Sequence, residues 1–149
     1  MKKYEFTGET KIVVGVTLKR IRALISFGFV VKGEIGGFIE DEKNLSHDGN
    51  AWVAGNAWVA GNARVADNAR VTNTTDYMLI GSIGSRNDFT TFYKDIDGGI
   101  SVKCGCFSGT IEEFREKVEE THGTNTKHAK IYKVAADLAE MQILDQEAE

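Results

Sequence analysis

The sequence has no proline, only two cysteines, and no apolar run longer than the nine residues 23–31. A membrane-spanning helix needs about 20 apolar residues, so the sequence predicts no membrane segment. Two cysteines are too few for the disulfide framework of a small secreted domain. The opening residues also lack the apolar stretch of a signal peptide. We therefore expect the protein to act in the cytoplasm.

Basic residues are in the minority, with 18 lysines and arginines against 22 aspartates and glutamates. The formal net charge of −4 argues against a general nucleic-acid-binding protein, because that class needs clustered positive charge. A length of 149 residues suits one domain or two very small ones. With 16 glycines and no proline, tight turns must be built by glycine and asparagine, which adopt positive φ at low cost.

A six-residue repeat occupies the middle of the chain. From residue 50 the sequence reads NAWVAG, NAWVAG, NARVAD and NARVTN, and we extend the same register back to residue 35. Residues 35–76 are thus interpreted as seven units, each with one aliphatic and one mostly small position. One such unit cannot bury its apolar residue alone, so the repeat predicts stacked short strands with valine and alanine inside. The alternative is a low-complexity linker, which is disfavoured because the inward positions stay apolar.

The repeat resembles the hexapeptide repeat of left-handed parallel β-helices. In that family three units form one coil, which implies about two coils here, with residues eighteen apart on top of one another. The resemblance also implies a homo-oligomer, and most often a trimer. The implied stacked sets are Ile35, Val53 and Val71; Asn50 and Asn68; Trp52 and Arg70.

The flanking segments differ from the repeat in pattern. Residues 1–34 alternate as short strands and form a predicted N-terminal β cap. Residues 77–149 predict a small α+β lobe with three strands, at 77–80, 89–94 and 99–107, and two helices. The predicted fold is therefore mainly β: a short left-handed parallel β-helix (residues 35–76, about two coils) with an N-terminal strand cap and a C-terminal α+β lobe.

The two helices of the lobe are marked by their caps and apolar faces. A capping box beginning at Thr110 opens the first helix, and Gly123 ends it. The second helix is predicted from Lys127 to Gln146. Its predicted inward face consists of Ile131, Val134, Ala135, Leu138 and Met141.

Several segments are similar to a group of uncharacterised phage and prophage proteins. They are YEFT at residues 4–7, GGFIE at 36–40, NLSHDG at 44–49 and CGCF at 104–107. This resemblance implies a phage setting, and so the cytoplasm of the host cell, but no particular activity. The chain has fewer repeats than is usual in the group, which argues against a long polymer.

Six residues are candidates for binding: Trp52, Trp58, Arg64, Arg70, Arg86 and Asn87. The first four precede inward valines, so we expect an exposed tryptophan–arginine stripe. Such a stripe is typical of a subunit interface, and it equally suits a cation–π platform for a nucleotide. The last two lie in the glycine-rich segment GSIGSRN, where backbone N–H groups and a guanidinium would bind phosphate. The alternative there is a plain hairpin connection.

Cys104, Cys106, His122 and His128 are candidate zinc ligands. Two thiols on one strand face and two histidines near a helix end would supply a tetrahedral set. The alternative is two buried cysteines acting as small apolar residues and a histidine interacting with a helix dipole. No other cofactor is expected.

These features predict a non-catalytic, oligomeric phage accessory protein that binds and neutralises a host factor. That factor is either a host protein or a small anionic ligand such as a nucleotide. One alternative is a self-associating β-helix protein that forms polymers. A second alternative is a CoA-dependent acyltransferase of the hexapeptide type, which would use His47, the one histidine within the repeat.

Overall fold

A computed structural model describes residues 2–144 of the chain. The strands are β1 (Tyr4–Val13), β2 (Val16–Ala23), β3 (Ile35–Ile39), β4 (Trp52–Val53), β5 (Trp58–Val59), β6 (Arg70–Val71), β7 (Tyr77–Ile83), β8 (Asp88–Lys94), β9 (Ile100–Cys104) and β10 (Phe107–Thr110). The helices are α1 (Ile111–His122) and α2 (Lys127–Leu144), and two short 3-10 turns cover Glu42–Asn44 and Thr74–Asp76. Within the described residues, no helix is both long and apolar enough to cross a membrane.

The first half of the chain is built on a long antiparallel hairpin. β1 and β2 pair through a two-residue turn at Val14 and Gly15, which both have positive φ. Such a turn matches the right-handed twist of the strands it joins. β2 then pairs antiparallel with β3, and β3 pairs parallel with β5, so this four-stranded sheet is mixed.

The predicted left-handed parallel β-helix is wrong. The described residues form a mixed four-stranded sheet, an antiparallel four-stranded sheet and a parallel pair of two-residue strands, and these sheets do not make a solenoid. Pairing across the repeat has two different offsets, since Phe38 lies opposite Trp58 whereas Trp52 lies opposite Arg70. A 3-10 turn at Glu42–Asn44 takes the place of a strand, so the assumed gapless register does not hold.

Some local contacts of the repeat do follow the eighteen-residue spacing. Val53 pairs with Val71, and the Asn50 amide donates to Asn68 at 3.4 Å. Ile35 does not stack on Val53, because it sits in β3 opposite Arg22 and is 48% exposed. The stacking prediction therefore fails where the N-terminal hairpin, rather than another repeat unit, supplies the partner strand.

The valines and alanines of the repeat are buried, as their period predicts. They join one hydrophobic core with residues from β1, β2 and β8, including Tyr4, Ile21 and Tyr93. Buried Asn44 ties the 3-10 turn to the repeat, because its amide donates to the carbonyls of Gly61 and Ala63 at 3.1 and 2.9 Å. The hairpin and the repeat thus share a sheet and a core.

The second half is an antiparallel sheet in the order β10-β9-β8-β7, covered by α1 and α2. The lobe has four strands rather than the three predicted, because a turn at Gly105 and Cys106 splits the third into β9 and β10. Gly105 has a φ of 56°, which permits this tight reversal.

The caps of α1 are as predicted, whereas the inward face of α2 is not. The Thr110 hydroxyl accepts from the Glu113 N–H at 3.1 Å, and Gly123 ends the helix with a φ of 76°. Of the predicted inward residues of α2, Val134, Leu138 and Met141 are exposed. The residues that α2 buries are Ala129, Tyr132, Ala135, Ala136, Ala139 and Ile143. The predicted end of α2 at Gln146 lies outside the described residues.

Candidate functional site

Two adjoining cavities lie beside the turns of the C-terminal sheet. The first, which we call the α1 cavity, has a volume of about 290 Å³ and lies between these turns and the end of α1. The second, the repeat cavity, has a volume of about 340 Å³ and lies between the repeat and the sheet. Asp88 and Gly105 line both cavities, so the two are neighbours.

The α1 cavity is formed where three segments meet against Tyr132 of α2. The β7–β8 connection contributes Arg86, the β9–β10 turn contributes Cys106, and α1 contributes Lys117 and His122. Asn87 has a φ of 51°, which asparagine tolerates well, and its N–H donates to the Gly84 carbonyl at 3.1 Å. This tight turn fixes the backbone next to Arg86.

Tyr132 and Cys104 form the polar floor of the α1 cavity. The Thr90 hydroxyl donates to the Cys104 Sγ at 3.2 Å. Burial raises the pKa of Tyr132 to about 12, and the neighbouring Cys104 and Asp88 act in the same direction. Tyr132 is protonated at neutral pH, as a tyrosine of ordinary pKa also is, and its hydroxyl can donate or accept a hydrogen bond. His122 stacks over its ring with the centroids 5.9 Å apart.

The repeat cavity has a more polar lining. Arg64 enters it from the repeat, with its backbone N–H bonded to the Thr91 hydroxyl at 3.0 Å, and Lys103 enters it from β9. Phe89 supplies an aromatic wall. Arg64 was predicted as a binding residue, and here it lies at the junction of the repeat and the C-terminal sheet.

The two cavities together have an excess of positive charge. Their lining holds four cationic side chains, from Arg64, Arg86, Lys103 and Lys117, and one carboxylate, from Asp88. Among residues 2–144, three of these cations have no ion-pair partner, and Lys117 has only Glu120 at 3.9 Å. A local excess of unpaired cations in a protein of net negative charge is suited to binding an anion.

The expected tryptophan–arginine stripe is exposed only at Arg64, whereas its other three members are buried or half-buried. Trp52 is fully buried, 5.5 Å from Phe27 in an edge-to-face contact, so its predicted outward position is wrong. Trp58 is half-buried opposite Phe38, and Arg70 is half-buried opposite Trp52. The N-terminal hairpin and the loop after it cover the repeat face that the period alone leaves open.

The four predicted zinc ligands are only partly assembled. Cys104, Cys106 and His122 line the α1 cavity, while His128 lies next to His122 with the ring centroids 5.4 Å apart. Cys106 sits in the turn and is exposed, so the two thiols do not share one strand face. In the part of the chain that the structure describes, no group of three or more His, Cys, Asp or Glu residues is placed to hold a metal ion.

His47 does not line either cavity. Its Nδ1 accepts from the Lys3 N–H at 3.0 Å, its Nε2 lies 2.8 Å from the Glu42 carboxylate, and its ring stacks on Tyr4 at 4.1 Å. These contacts anchor β1 to the 3-10 turn. The acyltransferase and polymer alternatives were argued from a β-helix, which residues 2–144 do not form, and both stay predictions.

Lys103, Lys117 and Asp88 were missed as candidate residues. Lys103 had a usable signal, since strand alternation places it on the opposite face from buried Val102. Lys117 and Asp88 had no such sequence signal, because they line the cavities only as a result of how α1 and the turn at Gly105 pack.

No protein-family model matches the chain, and no curated protein matches it. The fold and the site therefore describe it on their own: a sheet-rich α+β protein with two neighbouring cavities lined by cationic side chains.

Proposed function

We propose that this protein binds a small anionic ligand in the α1 and repeat cavities and acts by holding it. The observation that carries this proposal is the set of four cations against one carboxylate in two neighbouring cavities. Hydrogen bonds from charged donors are roughly twice as strong as neutral ones, and a guanidinium can bind a phosphate through two of them. Arg86 lines the α1 cavity, Arg64 lines the repeat cavity, and Asp88 lines both.

Each cavity also offers groups that orient a bound molecule. The protonated Tyr132 hydroxyl in the α1 cavity donates to an oxyanion, and Phe89 in the repeat cavity gives an apolar contact. Binding pockets commonly combine an apolar wall with a few convergent polar groups. A phosphorylated organic molecule has both kinds of surface and is the ligand class that we propose.

The biological role that we propose rests on the resemblance of the sequence segments to those of phage proteins. A phage protein that holds a host metabolite or nucleotide reduces its free concentration, and this needs no catalytic residue. We therefore propose a sequestering role in the host cytoplasm, without a metal cofactor.

Calorimetric titration with inorganic pyrophosphate, a simple multiply charged anion, tests the site. Arg86→Ala and Lys103→Ala should each weaken binding about tenfold, because each removes a charge-assisted contact of about 1.5 kcal/mol. Lys32→Ala is the control, since Lys32 is exposed in the loop before β3 and lines neither cavity. Equal affinity in all three variants would refute the site, and so would binding that does not respond to salt.

A further inference from the structure

The four cations of the candidate site are divided equally between its two cavities. Arg64 and Lys103 line the repeat cavity, whereas Arg86 and Lys117 line the α1 cavity. Each cavity therefore has its own pair of positive charges. One such pair suits one phosphate group, because phosphate oxygens accept charge-assisted hydrogen bonds from arginine and lysine.

The boundary between the two cavities carries the opposite charge. Asp88 lines both cavities. Its Oδ1 accepts from the Phe89 N–H at 2.7 Å, which holds the carboxylate in place at the start of β8. Within residues 2–144, the other oxygen, Oδ2, makes no hydrogen bond. A carboxylate oxygen is thus free to accept hydrogen bonds at the point where the cavities meet.

This boundary is also open to a ligand. Gly105 is the other residue that lines both cavities, and like Asp88 it is exposed. Apart from the two chain neighbours of Gly105, the only described heavy atom within 4 Å of a Cβ added there would be the Asp88 Oδ2, at 3.7 Å. A ligand can therefore pass over Gly105 from one cavity to the other, with its middle part beside the free oxygen of Asp88.

The order of charges across the two cavities selects a ligand with two separated phosphate groups. A carboxylate repels a phosphate placed beside it, so the part of the ligand next to Asp88 should not itself be anionic. A carboxylate accepts hydrogen bonds, and neutral hydroxyl groups donate them. A sugar or polyol with a phosphate at each end has this order: phosphate, hydroxyl groups, phosphate.

We propose that the ligand of this protein is a sugar or polyol bisphosphate, which spans both cavities with one phosphate in each and donates hydroxyl hydrogen bonds to Asp88. This inference rests on the proposed anion-binding function and adds to it the class of molecule that is held. A sugar with a single phosphate uses only one of the two cation pairs and is held less tightly.

Calorimetric titration of the full chain with fructose 1,6-bisphosphate and with fructose 6-phosphate, which differ by one phosphate, tests the two-ended arrangement. The bisphosphate should bind as one molecule per chain and at least about tenfold more tightly, because it uses both cation pairs. Arg64→Ala and Arg86→Ala should each weaken the bisphosphate about tenfold. Both arginines are exposed, so neither change should affect folding, and Lys32→Ala is again the control.

Asp88→Asn tests the hydroxyl contact separately. The amide oxygen of asparagine can still accept from the Phe89 N–H, so the variant removes the charge and keeps the backbone contact. Hexane-1,6-diol bisphosphate has two phosphates and no hydroxyl group between them. The wild type should prefer fructose 1,6-bisphosphate to this compound about tenfold, and Asp88→Asn should reduce the preference to about twofold or less.

The results distinguish this inference from the proposed function. Equal affinities for the two fructose phosphates would overturn the inference, and so would two bisphosphate molecules per chain; binding of inorganic pyrophosphate would in both cases leave the anion site standing. A preference for the sugar bisphosphate that Asp88→Asn leaves unchanged would overturn the contact with Asp88. A chain that does not bind pyrophosphate at all would refute the proposed function, and this inference with it.

Discussion

Replacement of Gly84, beside the α1 cavity, by alanine should destabilise the protein far more than an ordinary glycine-to-alanine substitution. A Cβ at Gly84 would lie 1.8 Å from the Tyr132 hydroxyl oxygen, and the backbone there has a φ of +83°. The left-handed conformation alone costs about 1–2 kcal/mol with a side chain. Forcing a methyl group into a packed contact costs about 1–3 kcal/mol more. We expect Gly84→Ala to lower the free energy of unfolding by about 2–5 kcal/mol.

Two further variants separate the backbone cost from the steric cost. Gly98 has a φ of +92° and nothing within 4 Å of the added Cβ, so Gly98→Ala measures the backbone cost alone. Tyr132→Phe removes the clashing hydroxyl oxygen, and the ring carbon Cζ is then 2.8 Å from the Cβ. In a double-mutant cycle measured by urea unfolding, Gly84→Ala should cost at least about 1 kcal/mol less in the Tyr132→Phe background. Additive effects, or equal losses for Gly84→Ala and Gly98→Ala, would show that Tyr132 does not close on this turn.

Three other substitutions test the N-terminal half by chemical denaturation. Burial lowers the pKa of Lys3 to about 8, below the ordinary value near 10.4. Between pH 8 and 10.4 the folded state therefore binds fewer protons than the unfolded state, and the free energy of unfolding should rise with pH by about 3 kcal/mol. Lys3→Met should abolish this rise. Val14→Asn should add about 1 kcal/mol of stability, because Val14 is 96% exposed and holds a φ of 48° that a β-branched residue resists; a loss of stability would contradict this. Gly37→Ala should lower the free energy of unfolding by about 3 kcal/mol, because its Cβ would lie 2.4 Å from the Ala57 carbonyl oxygen. Gly99→Ala is the control and should lower it by less than about 1 kcal/mol, since the nearest atom to its Cβ is 3.6 Å away. Equal losses in the two variants would contradict this prediction.

The inward positions of the repeat and the ends of α1 follow from local sequence rules. Val59 and Val65 are buried, as their six-residue period predicts, because burying apolar side chains is favourable. The Thr110 capping box needs only four consecutive residues, so it can be recognised without knowing the fold. Sequence patterns are reliable where the interacting groups lie within one turn or one strand.

The failures have one common cause, which is a partner distant in sequence. Trp52 is inward because Phe27 and Ile21 cover it, and no period within residues 50–76 carries that information. The helix α2 has two apolar faces, and the one with larger side chains was predicted to face inward. The sheet instead accepts the alanine-rich face, because small residues let the helix approach β7 and β8 closely.

The residues of the candidate site divide in the same way, into those predictable from local sequence and those that depend on distant partners. Arg64 and Arg86 were identifiable from the repeat and the glycine-rich segment. Their association with Lys103 and Lys117 around Asp88 depends on strand pairing and on the docking of α1.

Local sequence is enough to predict the turns, the helix caps and the burial of the repeat's valines and alanines. These depend on backbone preferences and on short-range periodicity. Two features depend on long-range packing: the N-terminal hairpin adds to β3, so that sheets form instead of a solenoid, and four cations line two neighbouring cavities. Such arrangements depend on which of several apolar surfaces pack together, and long-range packing of this kind leaves no periodic trace in the chain.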